Sequence, residues 1–209
     1  MANPWLKIPA SDYEAHMALP EVAQAQTLDA LFASALAEYA PTSLAVLGCT
    51  TGRGFEQIDT TQTQRVVGVD INPKYLAILQ SKYGARIPNL EVIEADFTAA
   101  DFKIRPVSMV FAALVFEYVN TRDAVVNIER CMAAHATLVA VLQLPSAESA
   151  SVTATQYTSL QLLAPLVRLV PPNELSDACA AIGLWLLKED TIPLKKGKAF
   201  YCGYFRKGG

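Results

Sequence analysis

The stretch SLAVLGCTTGRGFE, Ser43 to Glu56, decides how this chain is read. A short β-rich run, Ser43–Gly48, enters a loop of small residues holding Gly52 and Gly54, and Gly52–Asp59 has the composition of a short helix. Glycines let backbone amides approach a ligand closely, and a helix N-terminus offers unpaired N–H groups. Downstream, Arg65–Asp70 (RVVGVD) is a second strand. Asn72 then predicts an N-cap and Pro73 a first helical residue, with Tyr75, Leu76, Leu79 and Tyr83 on one face. Leu90–Ala95 and Val107–Ala112 read as a third and a fourth strand. Thr121 is the expected cap of a helix carrying Val125, Ile128 and Met132, and Thr137–Leu144 is a fifth strand. The strands are continuous apolar runs rather than strict alternations, the mark of burial on both faces in a parallel sheet. Strand–helix alternation of this kind predicts an α/β, doubly wound domain.

Both flanks differ from this middle. Upstream lies an extended lead to Pro20 with a short turn at Tyr13–Met17, then a helical period over Glu21–Tyr39. Downstream, Ser146–Arg168 has weak periodicity and is a candidate cap or lid. Pro171–Ile182 reads as a helix ended by Gly183, and Leu184–Thr191 and Ala199–Phe205, joined by PLKKGK, read as a hairpin that closes the sheet antiparallel. The expected organisation is a lead and cap helix over 1–40, and an α/β domain over 41–209 with a lid at 146–170.

At 209 residues and 22.6 kDa the expectation is one domain, or one domain carrying a modest cap, able to bury roughly 70% of its unfolded surface. Apolar residues at 52% against charged residues at 18% exclude disorder as the main state. A net charge of −3 and a pI of 5.4 give no reason to expect nucleic acid, and the basic residues Lys195, Lys196, Lys198, Arg206 and Lys207 read as solvated hairpin positions. Mean hydropathy is +0.25, yet the longest apolar stretch, MAAHATLVAVLQLP, is interrupted by His135 and Gln143. It falls short of the ~20 residues a bilayer requires. No basic n-region followed by an apolar h-region is visible at the start, so no secretory signal is expected. Four scattered cysteines (Cys49, Cys131, Cys179, Cys202) and two histidines predict no metal site, and reduced thiols in a cytoplasmic protein. The sequence carries no signal for oligomeric state.

Three strand ends carry polar groups on one sheet edge. Asp70 ends the second strand, where an acid suits the two hydroxyls of a ribose. Asp96 follows the third, placed to accept from an adenine amino group while Phe97 packs on the ring. With the glycine loop, this order favours an adenosine-containing ligand. The loop continues GRGFE rather than GK[ST], which disfavours a P-loop NTPase, and Gln57 stands where a nicotinamide-binding fingerprint needs its third glycine.

VLGCTTGRG, VVGVDINPKYL, LEVIEADF and SMVFAALVFEYV resemble the first four motifs of class I S-adenosylmethionine-dependent methyltransferases. The terminal helix and hairpin look like that fold's seventh, antiparallel strand, and the lead IPASDYEAHMALPEVAQAQ is similar to the substrate-side cap of members acting on small molecules. The resemblance implies a Rossmann-like, mostly parallel seven-stranded sheet with helices on both faces and a C-terminal antiparallel hairpin. It implies S-adenosylmethionine as cofactor and methyl transfer to a small molecule. The cofactor contacts it implies are Gly48, Cys49, Thr50, Gly52, Asp70, Ile71, Asp96, Phe97, Ala112 and Ala113. Two positions depart from the pattern: Val46 stands where the family usually has an acid, and Thr50 where it usually has a second glycine. The alternatives are a relative that binds the cofactor without turnover and, behind it, a nicotinamide-dependent oxidoreductase.

Methyl transfer is an in-line displacement, so positioning and exclusion of water are the protein's main work. A base is needed only where the acceptor must lose a proton. Substrate-side candidates are Tyr13, His16, Glu117, Tyr118 and Tyr157. Cys49, inside the loop, reads as a small residue with its backbone near the ligand; a helix N-terminus there can lower a thiol pKa, but no partner histidine is evident.

Overall fold

In the computed structural model, which describes residues 3–209, seven strands form one sheet. In chain order the long elements are α1 (Ala10–Ala18), α2 (Gln24–Tyr39), β1 (Ser43–Leu47), β2 (Arg65–Asp70), α3 (Pro73–Tyr83), β3 (Leu90–Glu94) and β4 (Val107–Ala113). They continue as α4 (Thr121–Arg130), β5 (Met132–Gln143), α5 (Pro172–Ala180), β6 (Leu184–Pro193) and β7 (Ala199–Lys207). The strand order is β3-β2-β1-β4-β5-β7-β6. The first five strands pair parallel, and β7 runs antiparallel between β5 and β6.

Pleating divides the sheet's side chains between two cores. Leu44 and Val46 of β1 join Val66, Met109 and Phe111 under α2 and α3. Ala45 and Leu47 point the other way, to Val67, Val69 and Val110 and the helices α4 and α5. Helices therefore cover both faces, as the apolar strands require.

Four local expectations are corrected. Gly52–Asp59 is a series of turns with only a 3-10 turn at Phe55–Gln57. Gly52 and Gly54 sit at φ 81° and 86°, a left-handed conformation that a right-handed helix cannot continue through. The lead is not extended: it forms a 3-10 turn at Pro4–Lys7 and then α1, which reaches well beyond Tyr13–Met17. Asn120 rather than Thr121 caps α4, its Oδ1 accepting from the amides of Arg122 and Asp123. The fifth strand begins at Met132, five residues before Thr137, through an irregularity where His135 has φ 59°. Asn72 does cap α3, accepting from the Lys74 amide at 3.0 Å.

The lead is tied to the domain by side chains on both. Asn72 Nδ2 donates to the Trp5 carbonyl and the Tyr75 hydroxyl to the Ile8 carbonyl, each at 3.0 Å. Ser159 Oγ donates to Asp12 Oδ2 at 2.6 Å, joining α1 to the 3-10 turn Thr158–Leu163 within the 146–170 segment. Among the described residues no helix is long and apolar enough to cross a membrane.

Candidate active site

Strand order reverses between β1 and β4, and open α/β sheets bind ligands at such a switch point, beyond the carboxyl ends of the strands. Register does the positioning. Leu47 pairs with Val69 and with Ala112, so one residue further Gly48 stands between Asp70 and Ala113. Asp70 pairs with Glu94, which brings Ala95, Asp96 and Phe97 to the same edge. A cavity of about 330 Å³ opens there. Its walls include Gly48, Thr50, Asp70, Ile71, Asp96, Phe97 and Ala113, with Asn3, Trp5 and Tyr13 of the lead closing over them. Gly48, at φ 66°, is needed here because a Cβ would collide with Val115 on the opposite wall.

Asp70 organises the rim. It is 8% exposed and both its oxygens accept backbone amides, Oδ2 from Thr50 at 2.9 Å and Oδ1 from Asn72 at 2.8 Å. Burial nevertheless holds its carboxyl above the ordinary value, with those amides opposing the rise. Each carboxylate oxygen keeps a second lone pair for a ligand hydroxyl. Asp96 is exposed and accepts through Oδ1 from the Thr98 amide and hydroxyl, while Phe97 is buried behind it.

Other expected residues lie off this cavity. A side chain at Gly52 would meet Tyr83 and Leu79, so that glycine serves packing against α3. Ala112 is fully buried within the sheet. Cys49 is 4% exposed and packs beside Gly68. Burial pushes the Cys49 thiol well up, and no helix follows the loop to lower it. The loop amides are also engaged: Gly48 and Cys49 both donate to the Val69 carbonyl.

Thr50 stands at φ 48°, the left-handed region, which is unfavourable for a β-branched residue. Thr50→Gly is expected to raise unfolding free energy by up to about 1 kcal/mol, the relieved strain being partly offset by glycine's greater unfolded-state entropy. Urea denaturation at fixed pH measures it, and a clear loss of stability would mean the Thr50 side chain is holding the loop.

Two smaller chambers adjoin. One, of about 70 Å³, lies between Val46, Gly48 and α2 and is bordered by Asp29 and Arg53. Arg53 grips Asp29 through Nε and a terminal nitrogen, the latter at 2.8 Å. Sequence reading missed this pair, because Asp29 sits on the polar side of a helix upstream of every motif. The second chamber, of about 60 Å³, shares Trp5, Tyr13, Leu114 and Tyr118 with the main cavity. His16 and Glu117 line it, along with Gln24 and Gln143, neither of which the sequence singled out. Gln24 Nε2 donates to Gln143 Oε1 at 2.9 Å. His16 Nδ1 lies 3.0 Å from Thr155 Oγ1, and burial, then the charge of Lys198, lowers its pKa. Burial pushes the Tyr13 hydroxyl up to about 12 and Tyr118 higher still. Tyr157 packs with Trp5, Tyr13 and Tyr118 around Ile8, Leu160 and Leu163, behind the chamber wall.

This strand order, with the last strand inserted antiparallel between β5 and β6, is that of the Rossmann-like methyltransferase fold, and the cavity lies at its switch point. Residues 45–135 match the family model described as "Methyltransferase domain", which bears out the resemblance to S-adenosylmethionine-dependent methyltransferases. No curated protein sequence matches the chain. Among solved structures, the N-methyltransferase NodS from Bradyrhizobium japonicum WM9, in complex with S-adenosylhomocysteine, superposes with a TM-score of 0.61 at 15% identity, over 92% of this chain and 90% of that one. Geranyl diphosphate C-methyltransferase from Streptomyces coelicolor A3(2), in complex with magnesium, geranyl diphosphate and S-adenosylhomocysteine, gives 0.65 at 13% identity, over 89% and 83%. A 4+2 cyclase, SpnF, gives 0.67 at 11% identity, over 87% and 81%. At these identities the likeness establishes the fold.

Proposed function

We propose that this protein binds S-adenosylmethionine in the switch-point cavity and transfers its methyl group to a small molecule. The observation that carries this reading is the cavity between Gly48, Asp70, Phe97 and Ala113, with an acid at the β2 end held in place by two backbone amides. The residues present fit the donor. Asp70 would take the ribose hydroxyls, and Asp96 and Phe97 would border the adenine, while Gly48, Thr50, Ile71 and Ala113 shape the walls. Arg53 and Asp29 hold each other beside Val46, and they would have to part to receive the carboxylate and ammonium of the methionine end in place of the missing acid. When bound, the donor supplies an electrophilic methyl on a sulfonium. The chain's part is to align an acceptor and to exclude water, with 1–40 as a cap and 146–170 as a lid.

A second reading, binding without turnover, is favoured by one observation: Val46 and the strained Thr50 replace two residues of the usual donor loop. The neighbour named as a cyclase is in keeping with it. Calorimetric titration with S-adenosylmethionine, S-adenosylhomocysteine and NAD tests the first reading. Affinities of about micromolar, near 8 kcal/mol, are expected for the two sulfur ligands and none for NAD. Absence of sulfur-ligand binding overturns it, and binding without turnover on an acceptor panel leaves the second reading.

A further inference from the structure

The chamber shared with the main cavity at Trp5, Tyr13 and Tyr118 holds one feature that packing does not explain. Glu117 is 3% exposed, in the 3-10 turn Phe116–Tyr118 that follows β4. Its Oε1 accepts from the Gln143 amide at 2.7 Å, but its Oε2 has no hydrogen-bond partner. A buried carboxylate oxygen without a donor is costly, and such a group calls for a partner supplied from elsewhere.

The surroundings decide what that partner is. No lysine or arginine lines the chamber. Arg168 lies near Glu117, yet its guanidinium is taken by Glu174 and Thr121, and only its backbone amide reaches the Glu117 carbonyl. Lys198 directs its Nζ to Thr153 Oγ1 and the Ser151 carbonyl. His16, its pKa lowered by burial, brings no standing charge near neutral pH. An anionic acceptor would therefore meet a bare acid in the lining, with Lys198 held behind it by Ser151 and Thr153. A cationic one would find a charge partner and aromatic walls, and aromatic rings favour cations.

We propose that this chamber is the acceptor site and takes a small, largely apolar amine, seated as its ammonium on Glu117 Oε2 beside Trp5, Tyr13 and Tyr118. The proposal rests on the methyl-transfer reading above and names its substrate class. Before transfer the ammonium gives one proton to Glu117 Oε2. The freed nitrogen lone pair forms the N–C bond as the S–C bond breaks, and that bond's electrons leave with the thioether. Glu117 is then a catalytic residue. Burial raises its carboxyl to about 7, a value suited to accepting a proton near neutral pH.

The test uses the protein saturated with S-adenosylhomocysteine and titrated near pH 8 with propylamine, 1-propanol and propanoate. The amine is expected to bind at least about tenfold more tightly than the alcohol, with the acid weakest. Near pH 5.5, with Glu117 protonated while Arg168 keeps its charge, amine binding should weaken and release a proton, read from the heat in two buffers. Glu117→Gln should abolish the preference and leave S-adenosylhomocysteine affinity within about twofold. Equal binding of the three probes, no amine binding, or a preference surviving in the variant overturns the proposal. If the variant does not fold, the pH series on the unaltered protein decides alone. Failure of S-adenosylhomocysteine itself to bind removes the methyl-transfer reading and this one with it. Tight S-adenosylhomocysteine without an amine preference removes only this one.

Discussion

Asp70→Ala is expected to weaken S-adenosylhomocysteine binding by roughly 10- to 150-fold, about 1.5–3 kcal/mol, the scale of lost hydrogen bonds to a charged group. The same change should lower folding stability. The amides of Thr50 and Asn72 lose their acceptor, and a buried unsatisfied donor costs about 1–3 kcal/mol. Asn72 in turn caps α3 and holds the Trp5 carbonyl, so the disturbance spreads to the lead. Part of that cost is returned, because burial already disfavours the Asp70 charge. A net loss of about 2–3 kcal/mol is expected in urea denaturation. Asp70→Asn, which keeps one amide acceptor, separates the two effects: more of the stability should return than of the affinity. A folded Asp70→Ala variant with unchanged affinity would remove Asp70 from the ligand site.

Glu117→Gln is expected to change how stability depends on pH. The Glu117 carboxyl lies at about 7 in the fold against 4.5 as its ordinary value, raised by burial. The folded state therefore binds the proton more tightly than the unfolded state. That stabilisation is fully present below pH 4.5 and lost as pH rises through about 7, and amounts to about 3 kcal/mol. The groups that face Glu117, namely Arg168, Tyr118 and His16, are shared by both proteins and largely cancel in a difference. Between pH 4.5 and 8 the stability of the variant relative to the unaltered protein should shift by about 3 kcal/mol in the variant's favour. Denaturation curves across that range read it, and a pH-independent difference would mean the carboxyl is not held in the fold as described. A site that stores an unfavourable charge is what a function retained against stability looks like.

The sheet was legible because its strands are long apolar runs that fit no amphipathic helix, and Asp70 was legible because it ends such a run between the glycine loop and Asp96 on one sheet edge. The absent helix at Gly52–Asp59 was not, because composition does not report that two glycines adopt left-handed conformations. Any lowering of the Cys49 thiol pKa depended on that same helix. Asn120 and Thr121 are adjacent residues with similar capping strengths, and only the geometry separates them. Glu117 was named among several candidates, but what distinguishes it, one oxygen held by the Gln143 amide at the end of β5 and the other without a donor, depends on how the turn after β4 packs there. Asp29 and Gln24 carry no local signal at all: their place at the site comes from where α2 packs.

The position of β7 also governs how this chain acquires its fold. Ala199–Lys207 is the last strand in order but lies inside the sheet, pairing with β5 on one side and β6 on the other. Until it is made, β5 presents an open edge whose apolar residues span Ala136–Leu142, and β6 has no partner to join. During synthesis the parallel half, with its loop and Asp70, can form first, while the exposed β5 edge is the segment most prone to pair with another chain. Assembly of the sheet is thus completed by a non-local strand insertion, a slow kind of step, and trimming a few residues from β7 would cost far more than their number suggests.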